Sequence, residues 1–176
     1  IAGGIAVGMV GRRVLAPMVA MGTAAITTPA GGDPFDLLTE DHRLILKTLS
    51  AMEEVTDGRR GKRASQFLLL KRKVGKHALA EEDVVYPLLN DEAQRREAAK
   101  HLYEEHADIK ILLFEIETAL MRGERWTEPV HNLRQLIERH AREEEEEQFP
   151  RLREVLTGGR LGEVAAQVHR EEALIL

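Results

Sequence analysis

Four segments of this chain repeat apolar residues at alternating spacings of three and four, and each repeat contains one histidine. Such spacing places residues on one face of an α-helix, and four such faces are typical of the packed core of a helical bundle. The histidines are His42, His77, His106 and His140. The pattern predicts an all-α, antiparallel up-down four-helix bundle with polar groups at one level of its core.

Each predicted helix has its own core stripe, and in two of them a glutamate, Glu81 or Glu144, follows the histidine by one turn. The stripes are Phe35, Leu38, His42, Ile45, Leu49 and Met52; Phe67, Leu70, Val74, His77, Glu81, Val84 and Leu88; Ala99, Leu102, His106, Ile109, Leu113, Ile116 and Leu120; and Val130, Leu133, Ile137, His140 and Glu144.

Six ionisable groups at one level of a core are difficult to explain by packing. A buried carboxylate is costly unless it is paired or bound to a cation, and a buried imidazole needs a partner for each ring nitrogen. The chain has no cysteine, so any metal must use nitrogen and oxygen ligands. We therefore predict a metal site formed by His42, His77, Glu81, His106, His140 and Glu144.

An internal repeat suggests two equivalent metals. KHALAEEDVVYP, which begins at Lys76, matches RHAREEEEEQFP, which begins at Arg139, at an offset of 63 residues. LTEDH, which ends at His42, matches LYEEH, which ends at His106, at an offset of 64 residues. The repeat therefore predicts two helical hairpins, each with a histidine followed by an HxxxE motif.

The predicted ligand set suits iron, manganese or zinc. If both glutamates bridge, each six-coordinate metal keeps about one open position, where dioxygen, nitric oxide, peroxide or azide could bind. A structural zinc site is more often closed and four-coordinate, which makes an all-zinc structural role less favoured.

The segments EDHRLILKTL, KHALAEEDVVYPLL, YEEHADIKILLFEIE and RHAREEEEEQFPRL resemble the hemerythrin-like HHE cation-binding domain, as found in bacteria, over residues 33–156. The resemblance implies two iron ions with a bridging oxo or hydroxo group, held by the six residues named above. It also implies a role in binding or sensing dioxygen, nitric oxide or peroxide, or in handling iron.

One departure from the family pattern affects the expected function. Oxygen-carrying hemerythrins have a further histidine one turn before the third-helix ligand, where this chain has Leu102. The neighbouring His101 is rotated about 100° away from that face. This departure argues against stable oxygen carriage and favours a more open, reactive site. A peroxidase-like or catalase-like enzyme with iron or manganese, an iron storage or trafficking protein, and a metal-free scaffold are the alternatives.

Several residues near the predicted site have more than one interpretation. Glu145 is an alternative to Glu144 as a ligand, although the helical phase favours Glu144. Tyr86 and Tyr103 can donate to a metal-bound group, act as ligands, or simply pack. The remaining histidines lie off the stripes, where exposure is expected: His101, His131 and His169.

The ends of the chain differ from the predicted bundle. Residues 1–30 are apolar with regularly spaced glycines, but Arg12 and Arg13 interrupt the run that a spanning helix requires. This segment predicts self-association or membrane contact of an otherwise cytoplasmic protein, or a floppy tail. Residues 157–176 predict a short final helix. The net charge of -5 argues against nucleic acid as a partner.

Local signals predict where the helices begin and end. Asp33 caps the first helix with Pro34 at its first position, and the stretch from Gly58 to Gly61 separates the first helix from the second. The second helix is expected to continue to about residue 88. The third is expected to end at Gly123, and the fourth to run from residues 126–129 to about residue 156.

Overall fold

The chain folds into a bundle of α-helices in a computed structural model that describes residues 32–55, 59–157 and 159–175. No strand occurs among these residues. The helices are α1 (Pro34–Glu53), α2 (Arg60–Ala80), α3 (Tyr86–Asp91), α4 (Arg96–Arg122), α5 (Thr127–Glu143), α6 (Phe149–Val155) and α7 (Arg160–Glu172). One π-helical turn (Glu81–Val85) joins α2 to α3, and another (Glu144–Gln148) joins α5 to α6.

The helices α1, α2, α4 and α5 form the predicted antiparallel four-helix bundle. Helix α1 packs against α2 and α5, and α4 packs against α5 and α2. The predicted core stripes are buried throughout, except that Leu120 is only partly buried. The predicted fold is therefore confirmed. Residues 1–30, for which self-association or membrane contact was predicted, lie outside the described residues.

The predicted helix ends agree with the structure at two well-defined positions. The Asp33 carboxylate accepts a hydrogen bond from the backbone N–H of Phe35 at 2.8 Å, so it caps α1, and Pro34 occupies the first turn. At the end of α4, Gly123 adopts a left-handed conformation with φ of 73°, which glycine tolerates without a Cβ clash.

The second helix begins earlier than its glycines suggested. Helix α2 starts at Arg60, so Gly61 lies inside the helix and does not precede it, while Gly58 lies outside the described residues. The predicted final helix is present as α7, which buries Val164 and Val168 and packs mainly against α2.

A π-helical turn begins at the glutamate of each HxxxE motif, and the sequence analysis did not predict either turn. The backbone N–H of Tyr86 donates to the carbonyl of Glu81, and that of Phe149 donates to Glu144, five residues earlier in each case. A proline follows each aromatic residue and cannot donate the next helical hydrogen bond. The wider turn accommodates this loss, and at the first turn the Tyr103 hydroxyl donates to the Glu82 carbonyl at 2.7 Å.

The histidine and glutamate layer divides the apolar core into two clusters. One cluster surrounds Phe35, Leu38 and Phe149, and the other contains Ile45, Ile109 and Ile137. Among the described residues, no helix is long and apolar enough to cross a membrane.

Candidate metal centre

The six residues predicted from the core stripes lie together in the middle of the bundle. Helix α1 contributes one histidine, α4 another, and each HxxxE motif contributes a histidine and a glutamate one turn apart. All six residues are buried, and none is more than 4% exposed: His42, His77, Glu81, His106, His140 and Glu144.

The first half of the centre contains two histidines and both glutamates. His77 Nε2 lies 3.1 Å from Glu81 Oε1, and His42 Nε2 lies 3.2 Å from Glu144 Oε2. His42 Nε2 is also 3.7 Å from Glu81 Oε1. One ligand atom from each of these four residues lies within 4.8 Å of the others, so they can hold one cation.

The second half contains the other two histidines and shares Glu81. His106 Nε2 lies 3.3 Å and His140 Nε2 4.0 Å from Glu81 Oε2. His140 Nε2 is also 3.5 Å from Glu144 Oε2. Because the two oxygens of Glu81 face histidines of opposite halves, this carboxylate is placed to bridge two cations. Glu144 likewise lies between His42 and His140.

Several polar atoms in this layer have no hydrogen-bond partner among the described residues. They include both carboxylate oxygens of Glu81, both of Glu144, and Nε2 of His42 and His77. Leaving such atoms unpaired in a core costs about 1–3 kcal/mol each, and more if they are charged. Coordination to metal ions would satisfy all of them, so the donor set fits a two-metal site.

Each histidine has a carboxylate near its outer ring nitrogen, Nδ1. The Nδ1 distances are 2.8 Å from His42 to Glu145, 4.0 Å from His77 to Asp41, 2.9 Å from His106 to Glu82, and 2.8 Å from His140 to Glu105. At His42, His106 and His140 the carboxylate is within hydrogen-bond distance, so it keeps a proton on Nδ1 and leaves Nε2 free to bind metal. Asp41 is too far from His77 for a hydrogen bond, and His77 Nδ1 has no partner among the described residues.

These outer carboxylates follow the internal repeat. Asp41 and Glu105 immediately precede a predicted ligand histidine, and each contacts the histidine of the next helix. Glu82 and Glu145 immediately follow a predicted bridging glutamate, and each contacts a histidine of the other hairpin. The sequence analysis missed these roles for Asp41, Glu82 and Glu105, although their repeated positions beside the ligands were a usable signal.

The carboxylates shift the pKa values of the buried histidines. Burial alone lowers the pKa of His42, but the neighbouring carboxylates of Glu144 and Glu145 outweigh it and raise the pKa to about 9. Burial opposes protonation of His140 too, but Glu144 and Glu105 hold its pKa well above the usual value. Burial raises the pKa of Glu81, yet the histidines around it, led by His77, hold it well below the usual value. The carboxylates of the layer therefore favour positive charge at the histidines, whether from protons or from bound metal ions.

Glu144 and Glu145, the two alternatives of the sequence analysis, occupy different places. Glu144 is fully buried and faces the histidine Nε2 atoms, as its helical phase predicted. Glu145 has a side chain that is 36% exposed and reaches the outer nitrogen of His42. In this arrangement Glu144 lies inside the centre and Glu145 supports it from outside.

The two tyrosines also differ. Tyr86 is fully buried, and its hydroxyl lies 2.8 Å from His106 Nε2, so the phenol lies directly beside the second half of the centre. Burial raises the Tyr86 pKa well above its usual value, which keeps the phenol protonated. Tyr103 is 42% exposed and packs edge-on against the Tyr86 ring. Leu102, which replaces the further histidine, belongs to the same buried cluster as Tyr86.

The three histidines expected to be exposed are exposed: His101, His131 and His169. His101 Nε2 lies 3.8 Å from Glu105 and 3.6 Å from Glu143 at the surface. It does not enter the buried centre.

A small cavity of about 30 Å³ adjoins the histidines on the side away from the glutamates. The four histidines line one side, and the residues one turn away line the other: Ile45, Val74, Ile109 and Ile137. Ala78 and Lys110 complete the lining. This volume suits a ligand of a few atoms, since a single water molecule needs about 10–15 Å³ measured in the same way.

Comparison with known proteins agrees with this arrangement. The family model of the hemerythrin HHE cation binding domain matches residues 33–152. Comparisons with curated proteins and with solved structures returned no match. The matched region contains the whole bundle and all six buried histidines and glutamates of the centre. The chain therefore belongs to the hemerythrin HHE cation-binding domain family.

Proposed function

We propose that this chain is a non-haem di-iron protein that binds or senses a small ligand, namely dioxygen, nitric oxide or peroxide, in the bundle core. Two iron ions would be held by His42, His77, Glu81, His106, His140 and Glu144. When bound, they supply redox-active coordination positions. The nitrogen and oxygen donor set and the unpaired carboxylate oxygens support a hard or borderline metal at this place.

The observation that carries the proposal is the position of the cavity. It lies against the four histidines, and aliphatic side chains line its opposite side. A space of about 30 Å³ accepts a diatomic molecule or peroxide but not an organic substrate. The protein therefore provides an enclosed, mostly apolar chamber next to the metal positions, which favours ligand binding over chemistry on large substrates.

A peroxide-reactive enzyme is the second candidate, and two observations favour it. Leu102 provides no metal ligand where oxygen carriers have a histidine, so one coordination position stays available. The buried Tyr86 hydroxyl, 2.8 Å from His106 Nε2, holds a proton beside the centre. Iron trafficking is less well supported, because the six donor residues are at most 4% exposed and metal exchange would require the bundle to open.

The first test is the visible absorption spectrum of protein loaded anaerobically with ferrous iron, recorded before and after air is admitted. The expected stoichiometry is two irons per chain, with a new charge-transfer band in air. A band that reverses on degassing supports oxygen binding, whereas irreversible oxidation together with rapid peroxide turnover supports the enzyme. Parallel loading with manganese and zinc tests the choice of metal.

Variants of the site test whether the bound iron is held by the predicted residues. Glu81→Gln removes the carboxylate placed between the two halves and is expected to leave at most one tightly held iron. Glu146→Gln is the matched control, because Glu146 is an exposed member of the same acidic run as Glu144. If Glu81→Gln still retains two irons, or if the unaltered protein retains none, the di-iron proposal is wrong.

A further inference from the structure

Lys110 differs from the other residues that line the cavity beside the metal centre, because its side chain is cationic and exposed to solvent. Lys110 lines the cavity, yet its side chain is 61% exposed. Its ammonium lies 2.7 Å from Glu82 Oε1 at the surface. The apolar stem therefore contacts the chamber while the charged end reaches water, which is the usual behaviour of a long cationic side chain at an apolar boundary.

Among the described residues, comparison of the two halves of the internal repeat finds this arrangement on one side of the bundle. The residue equivalent to Lys110 in the first hairpin is Leu46, and the residue equivalent to Ala78 is Ala141. Leu46 packs against the apolar core, and neither Leu46 nor Ala141 lines the cavity. The chamber therefore approaches solvent between α2 and α4, while the matching seam between α1 and α5 is closed by a leucine.

The seam between α2 and α4 is held at the surface by ion pairs that can open. Lys71 bonds Glu117 at 3.0 Å, and Lys110 bonds Glu82 at 2.7 Å. Pairs between solvent-exposed charges are worth only about 0–1 kcal/mol. The Lys110 ammonium is solvated and can leave Glu82 without displacing a core side chain, while Glu82, whose side chain is 24% exposed, keeps its contact with His106 Nδ1 at 2.9 Å.

We propose that Lys110 gates the entrance of the chamber and selects small inorganic anions, such as azide, over neutral diatomic molecules. A positive charge at a narrow mouth with apolar walls raises the local concentration of anions and their rate of entry, and salt screens the effect. A neutral ligand gains nothing from this charge. The inference rests on the proposed function, since the entering ligand is the one that reaches the di-iron centre.

The test is stopped-flow binding of azide and nitric oxide to the iron-loaded full chain. Lys110→Met keeps the apolar stem and removes the charge, so the azide association rate is expected to fall about three- to tenfold at low ionic strength. Lys110→Glu is expected to lower it further. Nitric oxide should bind all three proteins at rates within about twofold of one another, because a neutral ligand is not steered.

Two further variants distinguish a role of Lys110 at the cavity entrance from the effect of removing any surface charge. Lys100→Met removes an exposed charge that pairs with Glu104 away from the cavity, and it should leave both rates unchanged. Lys110→Trp places a bulky ring at the mouth and should slow azide and nitric oxide alike. Iron content is measured for every variant, so that a loss of metal is not mistaken for slower entry.

The outcomes distinguish this inference from the proposed function. If unaltered protein binds neither probe, the proposed function fails and the gate fails with it. If both probes bind but their rates do not respond to Lys110→Met, Lys110→Glu or Lys110→Trp, the gate is overturned and the di-iron site stands. A selective loss of azide rate, with a salt dependence that Lys110→Met removes, supports the gate.

Discussion

At the scale of single residues, the centre depends on carboxylates outside the histidine ring as much as on the six buried groups. Glu105 shows this most clearly. It is partly buried, and its carboxylate lies 2.8 Å from His140 Nδ1. The contact orients the imidazole and increases the electron density at Nε2, which faces both glutamates of the centre. Removing this charge should therefore weaken metal binding without removing any of the six candidate donors.

We predict that Glu105→Gln weakens metal affinity about 10- to 100-fold, the range typical of such supporting contacts. The measurement is competition with a coloured chelator of known affinity. Glu104→Gln is the matched control, because Glu104 is the adjacent residue and its side chain is 63% exposed. Equal affinities for the two variants would contradict a role for Glu105 in supporting His140.

Acid–base behaviour is also a property of single residues here. In metal-free protein, the pKa of His42 is raised from 6.5 to about 9, and that of His140 is raised as well. A group whose folded-state pKa is raised stabilises the fold fully below its unfolded pKa, and this stabilisation is lost as the pH rises through the folded pKa. For His42 this window runs from about pH 6.5 to about pH 9.

We therefore predict that the free energy of unfolding of metal-free protein decreases between pH 6.5 and 9. Urea denaturation of chelator-treated protein at several pH values measures it. Metal binding must displace these protons, so proton release on metal binding should be largest in the lower part of the same window. A stability that is constant or rises across the window would contradict the raised histidine pKa values.

At the scale of helices, the end of α4 is joined to the start of α2 by an unexpected buried arginine. Arg63 is 1% exposed, donates to the Glu124 carbonyl at 2.7 Å, and lies over the Trp126 ring at 4.6 Å. The sequence analysis did not place it in the core. Its position four residues before Phe67 continues the stripe of α2, which is the signal that was available.

Arg63→Ala is expected to lower the free energy of unfolding by about 2–4 kcal/mol. The change leaves the Glu124 carbonyl without its partner and a void beside Trp126. Chemical denaturation of metal-loaded protein measures the loss. Lys62→Ala alters the exposed neighbour on the same helix and should stay within about 0.5 kcal/mol of the unaltered protein. A similarly small effect of Arg63→Ala would show that the buried guanidinium adds nothing.

At the scale of the whole molecule, the polar layer separates two apolar clusters that would otherwise form one continuous core. The unpaired carboxylate and imidazole atoms in this layer oppose folding unless a cation satisfies them. Metal ions that bind the folded state more tightly than the unfolded chain therefore stabilise the entire bundle.

We predict that chelation lowers the melting temperature by about 10 °C or more, and that adding metal back restores it. Differential scanning calorimetry measures the shift, and circular dichroism before melting checks that the helices persist without metal. A metal-free scaffold would melt at the same temperature with and without chelator. That result would contradict both the coupling of metal to folding and the di-iron proposal.

The sequence alone was sufficient to predict the bundle and the six central residues, for a physical reason. The helical period determines which residues share a face, so His42, His77 and the other core positions follow from spacing within single helices. The repeat of the HxxxE motif indicated two matching halves. The same local signals identified Asp33 as a cap and Gly123 as a helix end, because both depend on a few neighbouring residues.

Only the tertiary structure decided features that depend on how neighbouring helices are rotated and spaced. The pairing of Glu82 with His106 joins side chains on different helices, which no periodicity within one helix specifies. The π-helical turns set the rotation of the following segments and bring Tyr86 to the centre. The difference between Lys110 and Leu46 matters because of where the cavity lies. The cavity is lined by Lys110, whereas Leu46 packs against the apolar core and does not line it.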